Sequence, residues 1–180
     1  MRLTAPTTLL TLCALATASG SIHAQAGINA ASGSSKRKAP ITVHLARRLL
    51  PADRAAIDGA VLIEQAGRIL AVGPRKTTTI PPGATVVDHG NNWLSPYFVD
   101  LHHHVSCGGG NDISLPYEAA LAAFTIVPAR QIGLDDRVGS LTVGKHADFL
   151  VTAGDPLDPR VPPSLVYTEG QLIHRLGDVR

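Results

Sequence analysis

Short runs of alternating apolar and polar residues dominate the chain from residue 41 onward, and this alternation is typical of half-buried β-strands. In the first half of the chain these runs cover residues 41–45, 60–65, 68–72 and 84–88. Ala66-Gly67 separates the second run from the third and predicts a hairpin turn, because glycine adopts positive φ at low cost. The first half therefore predicts an antiparallel β structure.

The second half of the chain predicts one helix followed by further strands. Residues 115–132 contain five consecutive good helix formers at 119–123, with Pro128 interrupting or restarting the helix and Gly133 ending it. After that helix, residues 147–151 are apolar enough for another strand. Residues 165–168 and 171–174 flank Glu169-Gly170 and predict a second hairpin. The fold class predicted from pattern alone is mainly β, with one or two helices.

The first 26 residues have the pattern of an export signal. Arg2 supplies a positive start, residues 9–16 form a short apolar run, and Ala24-Gln25-Ala26 presents small residues at a cleavage site. The alternative is a poorly ordered N-terminus that stays in the cytosol. We interpret residues 1–26 as a signal peptide and residues 27–40, rich in Gly, Ala and Ser, as a flexible linker, so that the mature protein is periplasmic or secreted.

Composition excludes several classes of protein. The 180 residues are 44% hydrophobic and 17% charged, with a formal net charge of +2, which argues against a disordered chain. The weak basic excess and the 4% aromatic content exclude a dedicated nucleic-acid partner, and no membrane association is expected after signal cleavage. Cys13 leaves with the signal, so Cys107 is a buried small side chain or a free reactive thiol.

The one constellation with chemical content is Asp-Leu-His-His-His at residues 100–104. It follows Tyr97-Phe98-Val99, an apolar stretch that predicts a buried strand. Side chains alternate along a strand, so His102 and His104 share one face while His103 points away. Two imidazoles spaced in this way can converge on a zinc or similar divalent ion. The alternative is a set of exposed residues at a strand end that bind nothing.

The order of motifs at both ends of the chain resembles the metal-dependent amidohydrolase superfamily, in its imidazolonepropionase-like or exported dipeptidase-like branch. The motifs that carry this resemblance occupy residues 60–73, 87–88, 93–104, 118–121, 125–130, 133–141, 144–148 and 154–156. The resemblance covers nearly all of residues 41–180. It implies a composite β-sandwich built from both chain ends, flanking a (β/α)₈ barrel that holds one or two metal ions.

This resemblance implies how the chain divides and which residues bind the metal. Residues 41–94 and 136–180 correspond to the two halves of the β-sandwich. Residues 95–135 correspond to a barrel remnant with the His-x-His strand, a Gly-rich seam and the last helix. His102 and His104 correspond to the metal ligands of the first barrel strand. Lys145 belongs to a turn of the sandwich and is not a catalytic group.

The chain departs from the family where the rest of the barrel should be. A complete barrel needs about 250 residues, yet the chain reaches the last barrel helix at residue 115, directly after the seam. Tyr97 also stands where the family usually places glycine. We expect an internally truncated chain without an identifiable catalytic base, in which zinc binding is weak or absent. Recruitment of Cys107, Asp112, His89 or His146 is a minor alternative, and His44 and His174 are interpreted as surface or edge residues.

Three hypotheses for function follow. The first is an amidohydrolase by descent, a hydrolase of carbon–nitrogen bonds in small amide-type substrates, that is inactive as this truncated chain. The second is a small β-sandwich that acts as a binding module and associates with itself through the exposed barrel remnant. The third is a hydrolase that another chain completes. Metal content and hydrolysis of simple amides separate the three.

Overall fold

The computed structural model describes residues 38–100 and 116–177. Its strands are β1 (Ile41–Leu49), β2 (Ile57–Gln65), β3 (Arg68–Pro74), β4 (Thr85–Asp88), β5 (Trp93–Pro96), β6 (Phe149–Thr152), β7 (Pro163–Thr168) and β8 (Gln171–Arg175). Two short helices, α1 (Tyr117–Ala123) and α2 (Ile126–Gln131), lie between β5 and β6. The prediction of a mainly β protein with one or two helices is confirmed. The predicted signal peptide, residues 1–26, lies outside the described residues.

All the strands named above join in a single sheet, in the order β3-β2-β1-β5-β6-β7-β8, with β4 paired to β1. β1 is the centre of this arrangement because β2 runs antiparallel along one of its edges, while β4 and β5 share the other edge in parallel register. β5, β6, β7 and β8 then continue antiparallel. Strands from both ends of the chain therefore contribute to one sheet. The finer prediction of a two-layer sandwich, with the domain boundaries drawn from it, stays a prediction.

Both predicted hairpins are confirmed, and their turns meet. Gly67 in the β2–β3 turn and Gly170 in the β7–β8 turn have φ values of 77° and 73°, as tight hairpin turns require. The backbone of Ala147 joins them: its N–H donates to Gly67 O at 2.9 Å, and its carbonyl accepts from Gly170 N at 3.0 Å. The turns from the two chain ends are thus tied to the segment that leads into β6.

The core lies on both faces of the central strands. The larger cluster joins β2, β5, β6 and β7 through side chains such as Leu62, Leu94 and Phe149, each with 0% exposure. A smaller cluster on the opposite face of β1 and β2 contains Val43 and Val61. Residues at successive positions of β2 are buried because packing covers both of its faces.

The helical region differs in detail from the sequence prediction. The break falls at Phe124–Thr125 and not at Pro128, since Thr125 leaves helical geometry with φ −133° and ψ −88°. Pro128 lies in the first turn of α2, where its missing N–H removes no intrahelical hydrogen bond. Gly133, with φ 68°, ends the second helix as predicted.

Two strand-based predictions are wrong. β5 ends at Pro96, so Tyr97–Val99 do not form the predicted buried strand, and Phe98 is 43% exposed. His44 is not a surface or edge residue, because β1 is central in the sheet and His44 is 0% exposed. His174, on the edge strand β8, is exposed as predicted. Within the described ranges, no helix combines the length and apolarity that a membrane span requires.

Candidate functional site

The chain that leads to the histidine motif is anchored where β5 meets the helices. Leu94 and Ser95 are fully buried between β1 and β6. Beyond Pro96, the N–H of Val99 donates to the carbonyl of Phe124 at 2.8 Å. The rings of Phe98 and Phe124 lie 5.9 Å apart. The segment before the motif is therefore held directly against the junction of α1 and α2.

The predicted metal ligands His102 and His104 lie in residues 101–115, outside the described part of the chain, as do Cys107 and Asp112. Their convergence on a metal ion stays a prediction. The other two residues considered for recruitment are described, and each has a different partner. His89 contacts His44, and His146 contacts Glu169. The structure does not bring them together.

The His146–Glu169 contact ties the segment before β6 to the β7–β8 turn. Nδ1 of His146 lies 3.0 Å from Oε1 of Glu169, and the His146 side chain is only 13% exposed. Nε2 of His146 is buried and has no hydrogen-bond partner in the described part of the chain. The residue lines a cavity of about 180 Å³ together with Tyr97 and Ser140. Tyr97 is engaged separately, with its hydroxyl 2.7 Å from Thr168 Oγ1. Glu169 therefore orients the imidazole of His146, and among the described residues no hydroxyl or thiol is hydrogen-bonded to that ring.

The Gly-Lys pair at 144–145 has a structural role, as the family resemblance implied. Nζ of Lys145 donates to Ser140 Oγ at 2.6 Å and to the carbonyl of Val138 at 3.3 Å. Burial lowers the pKa of this ammonium. It fastens the loop after α2 to the turn before β6.

Asp155 of the Gly-Asp-Pro motif has a similar structural role. Its Oδ1 accepts from the hydroxyl of Tyr117 at 2.7 Å and from the N–H of Leu157 at 2.8 Å. Burial and this hydrogen bond raise the pKa of Tyr117 well above its usual value. The carboxylate therefore joins the start of α1 to the loop after β6, and it is not available as a general base.

A cleft of about 550 Å³ lies between α1, α2 and the loop that follows β1. Its charged side chains bind protein groups, since Nη1 of Arg54 lies 3.0 Å from Asp53 Oδ1 and its Nη2 donates to the Leu141 carbonyl. Arg48 pairs with Asp58 at 3.3 Å and stacks over Trp93. Among the described residues that line this cleft, no nucleophilic side chain is hydrogen-bonded to a general base.

Sequence reasoning missed the His44–His89 pair. Nδ1 of His44 lies 3.1 Å from Nε2 of His89, and the two residues are 0% and 7% exposed. Burial, with the neighbouring imidazole as a smaller cause, lowers the pKa of His44 to about 3. Burial also lowers the pKa of His89, although the Asp88 carboxylate acts in the opposite sense. No local pattern could reveal this pair, because it depends on Phe149 and Tyr167 from the other end of the chain.

Comparison with known proteins places these features in a family. The sequence model of the amidohydrolase family matches residues 108–174. The chain is 36% identical over 95 residues to amidohydrolase tasK from Hapsidospora irregularis and 26% identical over 105 residues to an imidazolonepropionase from Pseudomonas aeruginosa. It is 30% identical over 138 residues to N-acetylglucosamine-6-phosphate deacetylase from Bos taurus. The chain is thus similar to proteins of the amidohydrolase family, as its motifs indicated.

The matches cover unequal shares of the proteins compared. They span 49%, 57% and 72% of this chain but only 9%, 26% and 31% of the three relatives, in the same order. The chain thus spans less than a third of the length of these curated relatives. A solved amidohydrolase from Thermotoga maritima is 37% identical over 34% of this chain and 16% of its own, with a TM-score of 0.33.

Amidohydrolases generally use divalent metals, which His, Cys, Asp and Glu side chains bind. Within residues 38–100 and 116–177, no three His, Cys, Asp or Glu side chains gather closely enough to hold an ion. The described part of the chain does not fit a catalytic metal by itself. No hydrolytic step through a metal follows from its geometry.

Proposed function

We propose that this chain descends from a metal-dependent hydrolase of carbon–nitrogen bonds in small amides or cyclic amides, and that the chain by itself does not catalyse hydrolysis. The family match and the relatives support the class of reaction. Two of the relatives are named as an imidazolonepropionase and a deacetylase. Small amide-type molecules are therefore the substrate class to test.

The observation that carries this proposal is the short connection between β5 and α1. The Val99–Phe124 hydrogen bond holds the start of the motif against the end of α1, and only residues 101–115 and the helix lie between. A (β/α)₈ barrel occupies about 250 residues, more than the whole chain of 180. We infer an internal truncation that retains the sheet and removes most of the barrel.

The ligand count supports the loss of activity. A catalytic zinc site normally has three protein ligands and one open position. His102 and His104 would supply two ligands, and the two described histidines considered for recruitment have other partners: His89 contacts His44, and His146 contacts Glu169. Zinc held by two imidazoles alone would exchange readily, so weak binding is expected.

The experiment is an amide-hydrolysis assay of the purified full chain with excess zinc, using an N-acetylated amino sugar phosphate, a dipeptide and a cyclic imide. We expect no turnover above the zinc-only control. Turnover that is lost in His102→Ala and His104→Ala but kept in His103→Ala would overturn the proposal, because His103 lies on the opposite face of the predicted strand. The same assay with added lysate fractions tests completion by another chain.

A second candidate function, self-association through the barrel remnant, is favoured by exposed apolar side chains on residues 95–135. Phe98, Val127, Ile132 and Leu134 are between 38% and 46% exposed. Large apolar side chains grouped on one region of a surface commonly mark an interface. We propose that a second copy of the chain covers this region, and the concentration dependence of the sedimentation coefficient tests it.

We also propose that the chain is exported, on the basis of the N-terminal pattern alone. Cleavage after Ala26 is the expected processing step. The mass of the protein recovered from the periplasm or the medium of an expressing bacterium tests this directly. An intact N-terminus in the cytosolic fraction would contradict export.

A further inference from the structure

Residues 75–92, which connect β3 to β5 and contain β4, form a segment that we call the strap. Every residue of the strap is exposed or half-buried except His89. Val86, the most apolar exposed position on β4, is 51% exposed. Ala84, which is half-buried, packs against the smaller core cluster. His89 is therefore the one buried side chain of the strap, and it can bind a proton.

At its ends the strap is held by the N–H of Arg75, which donates to Gly59 O at 2.7 Å, and by the carbonyl of Asn92, which accepts from the N–H of Arg47 at 3.1 Å. Between these ends, backbone pairing attaches the strap to one short stretch of β1. β4 pairs in parallel register with residues 42–45, and the N–H of His89 donates to the carbonyl of Leu45 at 2.9 Å. The turn after β4 closes through the N–H of Asn92, which donates to His89 O at 3.2 Å. These bonds lie on the half of the β1 edge that β5 does not occupy, so β4 can detach without breaking the β1–β5 pairs.

The side chain of His89 enters the core beside His44. The planes of the two rings are nearly parallel, at 8°, with centroids 5.3 Å apart and Nδ1 of His44 3.1 Å from Nε2 of His89. Phe149 and Tyr167 surround His44 at centroid distances of 4.9 and 5.0 Å. Two neutral imidazoles can share one proton between facing nitrogens, whereas two imidazolium ions at this distance would repel each other in an apolar site.

The second ring nitrogen of His44, Nε2, also disfavours a charged pair. Nε2 of His44 is buried and has no hydrogen-bond partner among residues 38–100 and 116–177. A proton placed there would create a buried cation that no acceptor stabilises. The pair is therefore compatible with the core only while it carries no net charge.

We propose that the His44–His89 pair is an acid-sensitive latch, which holds the strap on β1 at neutral pH and releases it on acidification while the rest of the sheet stays folded. Release exposes the backbone of β1 along residues 42–45. An unpaired strand edge of this kind is able to pair with another strand.

The groups that face the pair set the direction of the pH response. On the strap, the exposed Asp88 carboxylate favours protonation of His89, but burial outweighs it and lowers the pKa of His89. From β7, the Tyr167 hydroxyl is neutral in this range because burial raises its pKa, and Arg175 on β8 acts on that tyrosine. A released His89 regains an ordinary pKa near 6.5, so the released strap binds protons that the closed form does not.

Hydrogen exchange followed by mass spectrometry on the full chain tests the latch. Between pH 7.5 and pH 5.0 the opening equilibrium of the strap should rise roughly thirtyfold for one imidazole with an ordinary pKa, after correction for the chemical exchange rate. Peptides that cover residues 84–92 report the strap, and peptides that cover β2 report the sheet. The single tryptophan, Trp93, directly follows the strap and gives an independent fluorescence reading.

The variant His89→Phe keeps an aromatic ring and removes the proton-binding nitrogen, while His174→Gln removes an exposed histidine from β8 as a control. We expect strap opening in His89→Phe to lose its pH dependence and His174→Gln to behave as wild type. Strap opening that does not change with pH in the wild type, or strap and β2 peptides that open in parallel, would overturn the proposal. So would an unchanged pH dependence in His89→Phe.

Discussion

Gly67, in the turn between β2 and β3, packs directly against Glu169, in the turn between β7 and β8. A Cβ atom on Gly67 would lie 2.8 Å from Cβ of Glu169 and 3.1 Å from its carbonyl oxygen. Contacts this short with backbone atoms cannot be relieved by rotating a side chain. The two hairpin turns, which lie more than 100 residues apart in the sequence, are therefore matched in shape at this point.

The change Gly67→Ala should lower the free energy of unfolding by about 2–4 kcal/mol, through strain at φ 77° and overpacking against Glu169. Gly59→Ala is the matched control. Gly59 also has positive φ, at 57°, but no atom lies within 4 Å of its Cβ position. We expect the control to cost about 1–2 kcal/mol. Equal losses in urea denaturation would show that the turns do not touch as described.

The buried pair predicts a loss of stability in mild acid. Because the pKa of His44 is lowered to about 3, the unfolded chain binds a proton near pH 6.5 that the folded chain does not bind. Stability from this group is fully present above pH 6.5 and falls as the pH decreases towards 3. The expected slope is about 1.4 kcal/mol per pH unit for this imidazole.

Urea denaturation at pH 7.5, 6.5, 5.5 and 5.0 measures this slope before the carboxylates begin to titrate strongly. His44→Leu should reduce the slope and leave the part that comes from His89, whose pKa is also lowered by burial, although the variant itself is less stable because His89 loses its partner. His174→Gln should keep the wild-type slope, since His174 is exposed. A slope that is unchanged in His44→Leu would assign the acid sensitivity to other groups.

Much of the fold could be predicted from local pattern. The two hairpins were predicted because each combines alternating strands with a glycine that needs positive φ, as Gly67 and Gly170 have. The helix end at Gly133 follows from the same preference. These features depend on a few neighbouring residues, and local sequence therefore carries them.

The errors come from contacts between distant parts of the chain. Alternation places His44 on a polar face, but Phe149 and Tyr167 cover that face, and this depends on how the chain ends meet. The apolar residues Tyr97–Val99 suggested a buried strand, yet the sheet ends at Pro96, where pairing with β6 stops. Tyr97–Val99 are apolar, but they are not buried in a strand, since Phe98 is 43% exposed.

Lys145 supplies a test of a structural role against a catalytic one. Replacing it with methionine leaves Ser140, which is 2% exposed, and the Val138 carbonyl without the ammonium that binds them. Lys145→Met should lower stability by about 1–3 kcal/mol and leave metal content unchanged. Lys76→Met, at an exposed position, should change stability by less than about 0.5 kcal/mol. A change in bound metal in Lys145→Met would indicate that this lysine lies near the metal.

Phe98 supplies a test of self-association. Its ring is 43% exposed beside Phe124. If a second copy covers this surface, Phe98→Ser should shift sedimentation velocity profiles towards the monomer at concentrations where the wild type associates. Val86→Ser removes an equally exposed apolar side chain outside residues 95–135 and should have no effect. If both variants weaken association equally, the association is nonspecific hydrophobic aggregation and does not depend on the barrel remnant.

The most direct test of the central claim is the amount of zinc that the purified full chain retains after equilibration at neutral pH and removal of free metal. The claim is that the chain keeps the sheet and the His102–His104 pair of an amidohydrolase but lacks the rest of its metal site. This claim predicts that elemental mass spectrometry will find well below one zinc ion per chain. About one zinc per chain, lost in His102→Ala and His104→Ala but kept in His103→Ala, would contradict it.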